Sequence, residues 1–379
     1  MPSRPCLPKL KNKSLEAAMT QTLTATSTRR QQAHLKKPYY ILGGLFLLLV
    51  LSSVISLGIG GVAISPLSNI EHFASYLGLS ESTLELHQQL VIESIRLPRI
   101  VLGLVIGASL GLSGAVLQSL FRNPLADPGL IGVSSGAALA VVCIIVLGDT
   151  YFTAFLELTR SFALPVAAFA GSLLTTALIY HLSRRDGLTD VAMMVLMGIA
   201  VNAIVGSLIG LLTYLADDTE LRSLTFWSMG SLAGAGQTAW PSIAIMVIAS
   251  LFLLKLSSPL NLFLLGEAEA HHLGIPTERV KQQAAIAAAC ATGAAVAAAG
   301  MIGFIGLIAP HLSRLIGGAD NRFVLPAAAL IGANLIVIAD TISRIIVLPA
   351  ELPIGLVTSF IGGPFFFALL FREFKKRRM

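Results

Sequence analysis

The sequence predicts an all-α, polytopic membrane protein. Three observations carry that prediction: an apolar composition, apolar runs of membrane-crossing length, and cations distributed unevenly between the connecting loops. Hydrophobic residues make up 55% of the 379 and charged residues 12%, whereas a soluble domain carries about 25% charge.

The first 38 residues are polar and basic, with Glu16 as their one acidic residue, which predicts a disordered tail; Met19 is a second candidate start. Ten apolar runs follow, at about 40–62, 97–118, 129–148, 162–182, 190–214, 238–256, 282–300, 303–317, 323–345 and 353–371. As helices, runs of about 20 residues cross about 30 Å of hydrocarbon. The eighth is the weakest, being short and interrupted by Pro310. No small-residue cleavage site follows the first run, so it is expected to be a retained span rather than a signal peptide. The domain reading is therefore a tail over 1–38, a transmembrane domain over 39–372 and a basic C-terminal tail over 373–379.

Orientation follows from the cations. With both termini in the cytoplasm, the inner segments hold 21 Lys and Arg and the outer ones five: Arg96, Arg99, Arg160, Arg222 and Arg344. The net charge of +6 is thereby explained by topology, and nucleic-acid binding is not expected. Cys6, Cys143 and Cys290 have neither disulfide nor metal spacing, and no cofactor is expected.

Small residues set the packing. Gly103, Gly107, Gly111 and Gly114 recur at three- and four-residue spacing, and Gly300, Gly303 and Gly306 every three, as helices need for close approach in lipid. The Ala-rich stretch over 284–299 predicts a thin helix, for packing or for lining a path. GASLGLSG at 107–114 and GAAVAAAG at 293–300 are weakly alike, and each leads into a Pro-containing segment. Their spans run in opposite directions on this topology, which gives the chain a weak inverted-repeat character.

Arg96, Arg99 and Arg344 stand at span ends on the side where cations are scarce. A docking surface for an acidic partner and anchoring at lipid headgroups both fit that spacing. RLPR at 96–99, SGAVLQSLFRNPLADPGLIGVSSGA at 113–137, GFIGLIAPHLSRLIG at 303–317 and ELPIGLVTSFIGGPFF at 351–366 together resemble the FecCD-type permeases, the membrane subunits of ABC importers for ferric siderophores, haem and cobalamin. The resemblance covers about residues 40–372. It implies ten spans per subunit, a homodimer with a path at the two-fold interface, two cytoplasmic ATPase subunits and a periplasmic binding protein, in a bacterial inner membrane. It also implies that Arg96, Arg99 and Arg344 receive carboxylates of the binding protein, a task suited to the planar, permanently charged guanidinium. Arg160 and Arg222 match no motif and are expected to be loop charges.

LGEAEAHHLGIPTERVK at 265–281 predicts a short helix over 267–273, stopped by Gly274 and Pro276. The resemblance makes this knob the contact for the ATPase, with Glu267, Ala270, Leu273 and Gly274 as coupling residues. His271 and His272 are neighbours pointing about 100° apart with no third ligand evident, so no metal is expected.

The sequence holds no phosphate-binding G-x-x-x-x-G-K-[ST] loop, so energy must come from a partner chain, and no H-E-x-x-H or G-x-S-x-G motif points to an enzyme. An ion-coupled transporter needs ionisable groups near the bilayer centre, where these spans place none; Asp340 falls near a span end, and Glu351 and Glu373 flank the last span. His311 is expected to be structural, at a helix start. Met193, Met194 and Met197 fit packing as readily as a path wall, and Phe226 and Trp227 an interfacial aromatic belt. DDTELRSLTFWSMGSLAGA at 217–235 looks most like the haem branch of the family, which puts haem ahead of ferric siderophores and cobalamin as expected cargo.

Overall fold

The computed structural model describes residues 38–378 apart from 63, 77 and 79–83. The expected N-terminal tail and the choice between Met1 and Met19 lie, but for Pro38, outside the described residues. Residues 45–379 form one compact unit.

All ten predicted runs are helical. They correspond to α1 (Pro38–Gly58), α3 (Leu86–Leu120), α4 (Val133–Tyr151), α5 (Thr153–Leu182), α6 (Val191–Leu215), α8 (Trp240–Lys255), α11 (Thr277–Ala299), α12 (Ile305–Gly317), α13 (Asn321–Ile345) and α14 (Ile354–Arg378). Among the described residues, eight helices are long and apolar enough to cross a membrane. A ninth crossing requires α8 together with α9 (Ser257–Phe263), which meet at a 52° bend. Pro259 explains the bend, because it has no N–H to return to the carbonyl four residues back, so α8 cannot run on. The eighth predicted span does not have the length to cross: α12 has 13 residues, or about 20 Å at the α-helical rise. By length and composition the described residues thus supply eight or nine crossings among ten apolar helical segments, so the expected count of ten is approximate.

Short elements fill the loops: α2 (Pro66–Tyr76), α7 (Asp218–Met229), α10 (Glu267–His272), and a hairpin of β1 (Arg184–Arg185) with β2 (Leu188–Thr189). The hairpin turns on Asp186 and Gly187, both at positive φ (52° and 82°), as a two-residue Asp-Gly turn favours. Asp217 and Glu220 start α7 with a reciprocal capping box. The residues expected to form a C-terminal tail continue α14 to Arg378.

Three helices make the centre. Of the apolar windows of α3, α11 and α13, 78%, 72% and 72% is buried, against 11% for α6. Glycine sets the closest crossing: a Cβ on Gly107 would lie 2.3 Å from the Gly332 carbonyl oxygen, and one on Gly332 2.1 Å from that of Gly107. Gly111 meets the Ala328 carbonyl and Gly114 that of Gly306 in the same manner, so the predicted stripe on α3 holds two backbones in contact. The second set makes its close approaches from separate elements: a Cβ on Gly300 would lie 2.3 Å from the Trp227 carbonyl oxygen, and Gly306 supplies the carbonyl that Gly114 meets. Gly300, at φ 72°, ends α11, Gly303 lies in the break, and Gly306 belongs to α12, so the three share no helix face. The Ala-rich stretch packs rather than lining an open path, with Ala284, Ala288, Ala291 and Ala294 fully buried. Pro310 and His311 sit inside α12, not at its start, and the His311 ring meets Phe365 edge-on.

Helix direction follows from paired contacts. Arg99 near the start of α3 bonds Asp340 near the end of α13, whereas Ser119 at the end of α3 bonds Asn321 at the start of α13. Asn321 is also tied to Asn261 of α9, beside α10. α3 therefore runs toward the end that carries α10, and α11 starts from it, in the opposite sense. One end of the bundle carries the arginines, the arginine end; the other carries α10, the helix expected to couple, and is named the coupling end for that expectation.

Candidate functional site

At the arginine end, α3 passes through one turn of π-helix, Ile92–Arg96, before Pro98, which cannot donate to the carbonyl four residues back. The three arginines singled out in the sequence converge there. They point into the protein, with Arg96, Arg99 and Arg344 4%, 5% and 5% exposed. Arg99 donates from Nε to Asp340 at 2.7 Å and from a terminal nitrogen to Glu351 at 2.7 Å. Arg344 Nε stands 3.1 Å from the other Asp340 oxygen. Its terminal nitrogens donate to the Ile59 carbonyl at 2.8 Å, the Ser56 carbonyl at 3.1 Å and the Ser56 hydroxyl at 2.6 Å. Arg96 donates to the Leu57 carbonyl at 2.5 Å and to that of Val62.

Three cations thus face two carboxylates, and the remaining donors take carbonyls from the C-terminal end of α1 and the loop after it. The Ser56 and Leu57 carbonyls stand in the last turn of α1, where they have no helical partner and carry the negative end of the helix dipole. Asp340 is buried between two guanidiniums; Glu351, with 43% of its side chain exposed, is the accessible member of the cluster. Beside it, His72 Nε2 lies 3.1 Å from Glu93, which also accepts from the Tyr76 hydroxyl, tying α2 to α3. That bond holds the Tyr76 hydroxyl above its ordinary range.

At the coupling end, α10 spans Glu267–His272, capped by Leu273, with Gly274 at φ 86° turning the chain into α11. The predicted coupling residues divide. Leu273 and Gly274 face outward, Leu273 being 60% exposed, whereas Ala270 is fully buried and Glu267, half-exposed, bonds inward to Lys281. Glu267 accepts from Lys281 Nζ at 2.6 Å. The Lys281 side chain is 2% exposed. Its ammonium also pairs with Glu278 and donates to the Thr189 carbonyl at 2.5 Å. Glu278 in turn accepts from the Thr189 N–H at 3.0 Å, and the Thr189 hydroxyl donates to the Tyr180 hydroxyl at 3.1 Å. A cleft of about 580 Å³ opens between α10, the hairpin and the first turn of α11, lined in part by Leu188, Glu267, His271 and Glu278.

The NPLADPGLIG segment after α3 folds against α6. Asn202 donates to the Gly129 carbonyl at 3.1 Å and accepts from Ser135 at 2.5 Å, and a Cβ on Gly198 would lie 1.8 Å from the Leu130 carbonyl. Arg314 of α12 donates to Gln118, whose amide reaches the Gly306 carbonyl at 3.2 Å. These motif residues join α3, α12 and α6 near the coupling end.

Sequence reading missed Asp340 and Glu351 as partners of the arginines, and it missed Lys281, Glu278 and Thr189 altogether. A buried carboxylate near the end of an apolar span and a lysine inside the first turns of another were the available signals, since intramembrane charges need partners. Among the described residues no group of three or more His, Cys, Asp or Glu side chains is placed to hold a metal ion.

The pattern of the FecCD transport family matches residues 48–372. The hemin transport system permease protein HmuU of Yersinia pestis is 43% identical over 347 residues, covering 90% of this chain and 98% of that protein. The iron(3+)-hydroxamate import system permease protein FhuG of Bacillus subtilis is 36% identical over 89% of this chain and 98% of that protein. The cobalamin import system permease protein BtuC of Halobacterium salinarum is 41% identical over 74% of this chain and 73% of that protein. Among solved structures, a chain described as a metal-chelate type ABC transporter in an inward-facing conformation superimposes with a TM-score of 0.75 at 35% identity, covering 88% of this chain and 99% of that one.

Proposed function

Because the chain belongs to the FecCD transport family, we propose that it is the membrane-spanning permease subunit of an ABC importer that carries an iron chelate, haem foremost, into a bacterial cytoplasm. The observation that carries this reading is the 43% identity to a hemin permease over 98% of that protein. The 41% and 36% identities to cobalamin and hydroxamate permeases support those cargoes as the second reading.

Two copies form the path at a two-fold interface, two ATPase subunits bind from the cytoplasm, and a substrate-binding protein docks from the periplasm. The excess of cations in the inner loops, 21 against five, supports both termini in the cytoplasm, which puts the arginine end outside and the coupling end inside. Leu273 and the exposed edge of α10 meet the ATPase, and Gly274 shapes the turn. Ala270 and Glu267 hold α10 to the bundle.

Arg96, Arg99 and Arg344 serve the binding protein from the outer rim. Their guanidiniums are engaged internally in the state described, so a docking carboxylate gains access by exchange with Glu351, the exposed partner of Arg99. The path itself needs no charged wall, since a permease that receives cargo from a selective binding protein can leave selection to it.

The test is uptake into proteoliposomes holding the permease with its ATPase and binding protein, with haem, ferric hydroxamate and cobalamin in competition. Haem should be taken up in preference to both. Preference for either competitor overturns the haem assignment while keeping the permease, and ATP-dependent uptake of none of the three overturns the importer reading.

A further inference from the structure

Lys281 is the most deeply buried lysine among the described residues; it closes the 265–281 segment but is not one of the residues given a role there. An ammonium withdrawn from water costs several kcal/mol unless its donors are met, and here they are met by three oxygens from three elements. Glu267 comes from α10, Glu278 from the first turn of α11, and the Thr189 carbonyl from β2. Glu278 closes the ring by taking the Thr189 N–H.

The next residue, Asp190, is the N-cap of α6: its carboxylate accepts from the Ala192 and Met193 N–H groups at 2.8 and 3.2 Å. Its own N–H returns to the Ser183 carbonyl at 3.2 Å, so hairpin and α6 start as one piece. The same cation therefore ties α10 both to α11, which is packed into the core, and to the first turn of α6, the least buried of the long helices. With so little of its length buried, α6 takes its position from its first turn and from the Gly198 and Asn202 contacts with the 129–130 segment. Separating α10 from the hairpin would strip a buried charge of a partner, so the two move together.

We propose that Lys281 is the positioning residue that conveys displacement of α10 to α6. This rests on α10 being the ATPase contact. A push on the exposed edge of α10 reaches Glu267, passes through the ammonium to the Thr189 carbonyl, and turns α6 through its capped first turn. α11 serves as the fixed support, because Glu278 anchors the same cation to the core.

The experiment uses the assembled permease and ATPase, in nanodiscs for distances and in proteoliposomes with the binding protein for uptake, in a background with Cys6, Cys143 and Cys290 replaced, carrying spin labels at Ala192→Cys on α6 and Arg322→Cys at the start of α13. In the parent protein the distance between labels should change between nucleotide-free and vanadate-trapped states. Lys281→Met should abolish that change and lower cargo moved per ATP hydrolysed about tenfold or more, since it removes bonds to charged groups, while hydrolysis continues. Lys281→Arg should restore both, which a loss of folding alone would not allow. Should Lys281→Met fail to assemble, Glu267→Gln, which weakens only the α10 side of the link, should show a smaller distance change and a lower yield per ATP. An unchanged distance change and unchanged yield in Lys281→Met, or in Glu267→Gln where that variant stands in, overturn the proposal with the ATPase contact left standing. An ATPase that does not hold the parent chain overturns the contact, and the proposal with it.

Discussion

The two ends of the bundle each bury cations, and they use them in opposite ways. At the arginine end Arg96, Arg99 and Arg344 gather the end of α1, the start of α3 and the end of α13 around Asp340. α3 and α13 are already locked by glycine contacts along their length. Charge there reinforces a joint that packing has made rigid. At the coupling end a single lysine joins a six-residue helix and a hairpin to the core, and the long helix that starts from that hairpin has 11% of its apolar window buried. Charge there joins elements that otherwise meet through a few contacts, the buried Ala270 of α10 and the Gly198 and Asn202 contacts of the long helix with the 129–130 segment. The lesson is that equal burial of a cation does not mean an equal role: what matters is whether the elements it joins would stay together without it.

Asp340→Ala should break the arginine end hardest. It leaves two buried guanidiniums without their shared carboxylate, a loss of about 3–5 kcal/mol, and the thermal midpoint of the detergent-solubilised chain should fall furthest of any variant named here. A midpoint equal to the parent's would mean that the corner is not a clamp. Gly107→Ala comes next. Its new methyl must push against the Gly332 carbonyl, at a cost of about 1–3 kcal/mol by overpacking, read by the same melt.

Leu273→Asp sharpens the contrast from the other end. The side chain is exposed, so stability should stay within about 0.5 kcal/mol, while co-purification with the ATPase should drop about tenfold as a buried apolar contact becomes a charge. Unchanged co-purification would move the ATPase contact elsewhere. The smallest effect on folding is expected for Glu351→Gln, under about 1 kcal/mol because its carboxylate is partly solvated. That variant replaces a charge-assisted bond of Arg99 by a weaker neutral one, so a docking carboxylate should compete better and binding-protein affinity measured by surface capture should rise; no rise would speak against docking through Arg99.

Hydropathy made the helical segments legible because each span must be apolar whatever it packs against, and the α3 glycines announced a close crossing for the same reason. What stayed hidden depends on partners distant in sequence. Arg99 and Asp340 are 241 residues apart, and a cation at a span end looks the same whether it faces water or the interior. Lys281 passed for one more basic residue of an inner loop because its partners, Glu267 and Thr189, lie 14 and 92 residues away. Gly300, Gly303 and Gly306 misled because a spacing of three fits a helix face but also occurs where Gly300, at positive φ, ends the helix. α12 was legible as apolar and as short, with its run given as 303–317 against the observed Ile305–Gly317.

The central claim is that this chain is a conduit whose work is supplied by a separate ATPase acting on the coupling end. The most direct measurement compares haem accumulation in proteoliposomes holding this chain alone, under an imposed proton or sodium gradient, with vesicles that also hold the ATPase and binding protein and are supplied with ATP. Accumulation only in the complete, ATP-supplied vesicles is the predicted result. Accumulation by the chain alone, driven by the gradient, would contradict the account.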